Sequence, residues 1–139
     1  DLNIKSALVD LAGDIGLIGD KPDGTPWEIS VRHPRISGKS VSMLRLSDVC
    51  VATSGDYERA LIINGKRYSH LINPKTGWPI DGLASCTVVS EQCLLAGSTA
   101  TTASLKENHE ILGWLENIGL PYLAIDTSLQ VHSNLDDAL

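Results

Sequence analysis

The chain has 139 residues, 42% apolar and 20% charged, with a formal net charge of −6. That length supports one domain with a sizeable core, and the apolar share is that of an ordinary globular protein. The acidic balance and the lack of any Lys/Arg run exclude a binder of nucleic-acid phosphates, and Asp, Lys or Gly cuts every apolar stretch short of membrane-spanning length.

From the N-terminus, SALVDLAGDIGLIGD predicts two strands around a tight Ala12-Gly13-Asp14 connection. A Pro-Asp-Gly turn follows, then a strand from Trp27 to Arg32. ISGKSVSMLRLSDVCVATSGDY predicts two more strands, with Ser47-Asp48 as the turn. Asn64-Gly65 separates two strand-like runs by two residues, the signature of a type I′ hairpin. That register sets Ile63 opposite Lys66 and, extended outward, Arg59 opposite His70.

LASCTVVSEQ reads as a strand ending at Ser90, an expected N-cap, with a helix from about Glu91 to Lys106. This helix contains the unbroken small-residue run AGSTATTAS. Asn108 is the expected cap of a second helix, whose Ile111, Leu112, Leu115 and Ile118 follow helical spacing until Gly119 and Pro121 stop it. YLAID and LQVHS close the chain as a strand pair. Strands, then two helices, then strands predict an α/β (α+β) fold, a largely antiparallel sheet with helices packed on one face. Residues 1–139 are expected to form a single domain. The first residue is Asp1 rather than Met, immediately before a predicted strand, so a processed or truncated piece is expected.

Cys50, Cys86 and Cys93 make an odd count with no CxxC spacing. Neither a disulfide framework nor a zinc knuckle is implied, and three buried thiols acting as small hydrophobes are expected.

Four stretches could carry chemistry. His70 stands at a predicted strand end ahead of Asn73-Pro74, Thr76, Gly77 and Pro79, residues that stiffen a loop. A lone histidine there is often structural, but one held on a fixed platform can act as a general base near neutral pH. Thr53-Ser54-Gly55-Asp56-Tyr57 follows an apolar strand, and its hydroxyl and amides could hold a phosphate or a flavin edge; an ordinary turn is the competing reading. Gly13 and Gly16 permit close ligand approach but lack dinucleotide-fingerprint spacing. In the small-residue helix, Ser98, Thr99 and Thr101 could turn hydroxyls toward a ligand or cation. Tight packing on the sheet explains the same composition.

Taken together, VDLAGDI, PDGTPWEISVRHP, VATSGDYERAL, GKRYSHLINPKTGWPI and TVVSEQCLLAGSTATTASL resemble the ApbE family of flavin transferases. The resemblance covers essentially the whole chain and corresponds to the later part of a longer family member. It implies a T-fold-like arrangement and a reaction. FAD is the substrate, Mg²⁺ bridges its pyrophosphate, and FMN passes to a threonine of an acceptor flavoprotein with release of AMP. His70 matches the histidine that helps deprotonate that threonine. Gly13, Asp14, Ser54, Gly55, Asp56, Tyr57, Thr76 and Gly77 match cofactor-binding stretches, and Thr101 matches a metal ligand. The resemblance also implies a periplasmic location or a lipid anchor outside this chain.

This sequence departs from the family at three places. Ala12 stands where Gly is usual, and Asn73 stands where Asp is usual. In the family's metal pattern, Ala-Asp-Ala-x-x-Thr, Gly97 takes the place of the carboxylate. Two readings follow. Either the metal site is completed from elsewhere, by Asp14, Asp56 or the FAD phosphates, or the protein is catalytically inactive and serves as a flavin-binding or a structural interaction domain.

Overall fold

The computed structural model describes residues 3–57 and 59–135. β1 (Ala7–Leu11) and β2 (Asp14–Ile18) form a hairpin through Ala12 and Gly13, both at positive φ (56° and 101°). The Asp10 carboxylate accepts the Gly13 N–H at 2.8 Å, and this helps hold Ala12 in a conformation that its Cβ disfavours. β3 (Trp27–Arg32) and β4 (Ser40–Leu46) form a separate antiparallel ribbon. β5 (Cys50–Gly55) returns to the main sheet after a turn in which Asp48 takes φ 53°.

β6 (Leu61–Ile63) and β7 (Lys66–Tyr68) make the Asn64-Gly65 hairpin, with both turn residues at positive φ as a type I′ turn requires. Ile63 pairs with Lys66 as the spacing predicts, but the ladder ends at Leu61–Tyr68, so the extrapolated Arg59–His70 pair does not form. Leu61, Ile62 and Ile63 are exposed on this hairpin.

β8 (Leu83–Ser90), α1 (Cys93–Leu105), α2 (Ile111–Ile118), β9 (Tyr122–Asp126) and β10 (Val131–Ser133) complete the fold. The main sheet runs β1-β2-β5-β8-β9-β10, antiparallel throughout. Every residue of β8 is buried, because both faces of the sheet are covered there. On one face, Ala96, Ala100 and Ala103 of α1 pack on Ala52, Cys86, Val88 and Ala124, with Ile111 and Leu115 of α2 behind them. On the other, Ile29, Val31, Leu44 and Leu46 of the ribbon pack on Val51, Val89, Leu123 and Ile125. The expected antiparallel sheet with helices on one face is present, and the β3–β4 ribbon supplies the second cover.

The small-residue run is explained first by packing: three alanines with no exposure let α1 lie close against the sheet. Its hydroxyls divide. Thr99 is buried, whereas Ser98 and Thr101 face a cavity.

Three local expectations are corrected. Ser90 pairs with Cys50 in the β5–β8 ladder, so it cannot cap; Gln92 is the N-cap of α1, and the Ser90 hydroxyl accepts the Gln92 N–H instead. Glu110, not Asn108, precedes the first residue of α2. The cysteines are not three thiols: Cys50 and Cys93 are joined in a disulfide across 43 residues, leaving only Cys86 free. Neither partner needed burial as a hydrophobe, since Cys50 is half-buried and Cys93 exposed.

Candidate functional site

The main sheet opens between β2 and β5. Their ladder holds only Ile15–Val51 and Gly16–Cys50, and past it the strands separate. The parted ends are the Ala12–Asp14 turn and the Thr53–Ser54 stretch. With Gly97, Ser98 and Thr101 of α1 they line a cavity of about 690 Å³. Gly97 and Thr101 are one helical turn apart and share a face. The Ser54 and Thr101 hydroxyls share a 2.8 Å hydrogen bond across this cavity.

The disulfide sits at the rim of the opening. It ties the first residue of α1 to the start of β5, directly over β2. A Cβ on Gly16 would lie 3.3 Å from Cys93 Sγ, so glycine is the residue that lets the bridge lie flat on the ladder. The free thiol of Cys86 is a different case. Burial pushes its pKa up to about 12, which leaves it a packing residue rather than a nucleophile.

On the ribbon side of the sheet, Gly13, Thr53, Tyr57 and Thr87 line a narrow cavity of about 70 Å³. Thr53 borders both cavities and its hydroxyl hydrogen-bonds that of Thr87 at 2.8 Å. Gly55 lies beneath the Tyr57 ring, where a Cβ would collide with it. Asp56 is engaged elsewhere: Arg35 grips its carboxylate with two N–H donors at 2.6 and 2.7 Å, and the Asp56 N–H donates to Ala84 O. Among the expected completions of a metal site, Asp56 is therefore already neutralised. Arg35→Ala is expected to cost about 2 kcal/mol, because it strands a mostly buried carboxylate while solvent still screens part of the loss. A thermal melt checks this, and an unchanged melting temperature would contradict it.

His70, Thr76 and Gly77 stand apart from both cavities, on the loop that follows β7. The loop is self-contained. The Asn73 N–H donates to Trp78 O, the Gly77 N–H to Asn73 O, and the Ile80 N–H to Leu71 O. Thr76 Oγ1 accepts the Trp78 N–H, and Asn73 Oδ1 accepts the Lys75 N–H. Thr76 and Gly77 thus shape the loop. Asn73, Pro74 and Lys75 meet Thr102, Leu105 and Lys106 around a small cavity at the far end of α1. His70 is exposed, and no hydrogen bond to its ring is formed among the described residues.

The ApbE family profile matches residues 1–124 of this sequence. The chain belongs to the ApbE family. A curated FAD:protein FMN transferase of Vibrio cholerae is 35% identical over 124 residues, covering 88% of this chain and 37% of the relative. The Escherichia coli K12 enzyme of the same name is 32% identical over 100 residues, or 28% of its length. Among solved structures, the ApbE protein of Thermotoga maritima superposes with a TM-score of 0.82 at 30% identity, covering 92% of this chain and 42% of that one. Apo flavinyl transferase ApbE of Pseudomonas stutzeri gives 0.77 at 32% identity, covering 95% and 42%. The chain spans well under half the length of these relatives.

Within this ApbE chain the fold gathers Asp14, Ser54 and Thr101 at one cavity. It places Gly13 and Tyr57 on the opposite face and keeps His70, Thr76 and Gly77 on a separate loop. Sequence reasoning missed the Arg35 grip on Asp56 and the disulfide at the rim. Both join residues far apart in the chain, and neither leaves a local motif.

Proposed function

We propose that the protein carrying this chain transfers FMN from FAD to a threonine of an acceptor flavoprotein and releases AMP. The observation that carries this reading is the gathering of Asp14, Ser54 and Thr101 at one opening of an ApbE fold. These are hard oxygen donors, the type that suits Mg²⁺. Among the described residues no three His, Cys, Asp or Glu side chains gather, so phosphate oxygens of FAD would complete the coordination. Bound there, Mg²⁺ would neutralise charge on the pyrophosphate.

His70 takes the proton from the acceptor threonine hydroxyl. The threonine oxygen forms a bond to the flavin-side phosphorus while the pyrophosphate P–O bond breaks, and AMP leaves with the bridging oxygen. The exposed position of His70 suits a base that must meet a separate protein. The hydrogen bonds that close the following loop supply its rigid footing.

The test is intact mass spectrometry of an acceptor carrying a flavinylation motif after incubation with the full-length protein, FAD and Mg²⁺. An FMN adduct is expected. Gly97, standing where the family pattern has its carboxylate, supports a second reading, a relative that holds flavin without transferring it. Bound FAD with no adduct would favour that one.

We also place the protein outside the cytoplasm, in the periplasm or on a membrane through a lipid anchor. The Cys50–Cys93 disulfide supports an oxidising compartment. Fractionation should find the tagged protein in the periplasmic or membrane fraction; a cytosolic pool would refute the assignment.

A further inference from the structure

Gly97 of α1 and Asp14 of β2 face each other across the opening. A Cβ built on Gly97 would lie 3.7 Å from Asp14 Oδ2 and 3.9 Å from Oδ1, with Ala52 Cβ at 3.8 Å. The carboxylate of β2 thus reaches across the parted sheet to the bare face of α1, one turn from Thr101. Among the described residues Asp14 is the one carboxylate that lines this cavity; Asp10, in the adjoining turn, accepts the Gly13 N–H, and Asp56 is gripped by Arg35. The Asp14 carboxylate makes no hydrogen bond or ion pair among the described residues, so both of its oxygens remain available beside the Ser54–Thr101 hydroxyl pair.

We infer that Asp14 supplies from the sheet the cation-binding carboxylate that α1 lacks at Gly97. The inference rests on the proposed transferase reading. It assigns a specific partner to the ion: one carboxylate from β2 and two hydroxyls from β5 and α1, with charge contributed by strand rather than helix. A carboxylate delivered from either side would reach the same point, so the two positions should be exchangeable.

The test is a titration of the full-length protein with Mn²⁺, read by the electron paramagnetic resonance of the free ion, with and without FAD. No acceptor or transfer step is involved, so the result is independent of whether the protein is an active transferase. Asp14→Asn, which keeps the shape of the turn, is expected to weaken Mn²⁺ binding about tenfold or more. Asp14→Asn/Gly97→Asp is expected to recover most of it, and melting temperatures report whether each variant is folded. Wild-type affinity in Asp14→Asn, or no Mn²⁺ binding by the wild type, would overturn the inference. So would a folded double variant that stays as weak as the single one, since Asp14 would then shape the turn and not hold the ion. Mn²⁺ binding as expected alongside no FMN adduct would instead sink the transferase reading and leave the cation site standing.

Discussion

His70→Ala in the full-length protein is expected to slow FMN transfer by about 10²- to 10⁴-fold, the usual contribution of a positioned general base. The same variant should fold normally. The ring is exposed and takes part in no hydrogen bond among the described residues, so its removal falls in the class of surface substitutions worth about ±0.5 kcal/mol. The loop after it is closed by backbone groups and by Asn73 and Thr76, none of which depends on the imidazole. FAD binding should therefore persist while the adduct fails to accumulate. Time courses by intact mass, paired with a melt, separate the two effects. Transfer at the wild-type rate would remove His70 from the chemistry, and a large drop in melting temperature would show a structural role instead.

Removing the disulfide has the largest expected effect on stability. The bridge closes a loop of 43 residues, and the chain-entropy model assigns a closure of that length about 4 kcal/mol. Cys50→Ala/Cys93→Ala should therefore melt roughly 10 °C or more below the wild type. Reductant should lower the wild type toward the variant and leave the variant unmoved. A non-reducing digest should yield one cross-linked peptide pair containing Cys50 and Cys93, with Cys86 as a free thiol. Equal melting temperatures for the two proteins would contradict the assignment. The loss should also reach the site, because the bridge holds the N-terminal end of α1, and with it Gly97 and Thr101, against the opened sheet.

How legible all this was in the sequence depended on the range of the interaction. Asn64-Gly65 announced a hairpin because both residues take positive φ cheaply, and the structure has that hairpin. Gly119 ended α2 for the same reason, at φ 71°. Capping was misread where tertiary pairing competed: Ser90 has the chemistry of an N-cap, but the β5–β8 ladder keeps it in a strand. The alternation Trp27–Arg32 revealed a strand but not its place, and nothing local says that β3 and β4 cover the sheet face opposite α1. At the site, motif matching found Asp14, Ser54 and Thr101 one at a time. Their meeting follows from a ladder two pairs long, which no residue pattern encodes. Asp56 looked like a ligand residue because its partner, Arg35, lies 21 positions earlier.

The β6–β7 hairpin bears on how the protein behaves at high concentration. Leu61, Ile62 and Ile63 are 67%, 65% and 54% exposed, and Trp78, on the loop that follows β7, is 69% exposed. β1, at the rim of the main sheet, adds Leu8, Val9 and Leu11 beside backbone groups that have a neighbouring strand on one side only. Open strands with apolar side chains recruit further strands, so this region expressed by itself should self-associate and precipitate as its concentration rises. Charged replacements on the hairpin, such as Ile62→Lys, should raise its solubility limit without touching the cavity that holds Asp14. Light scattering against concentration would show the difference.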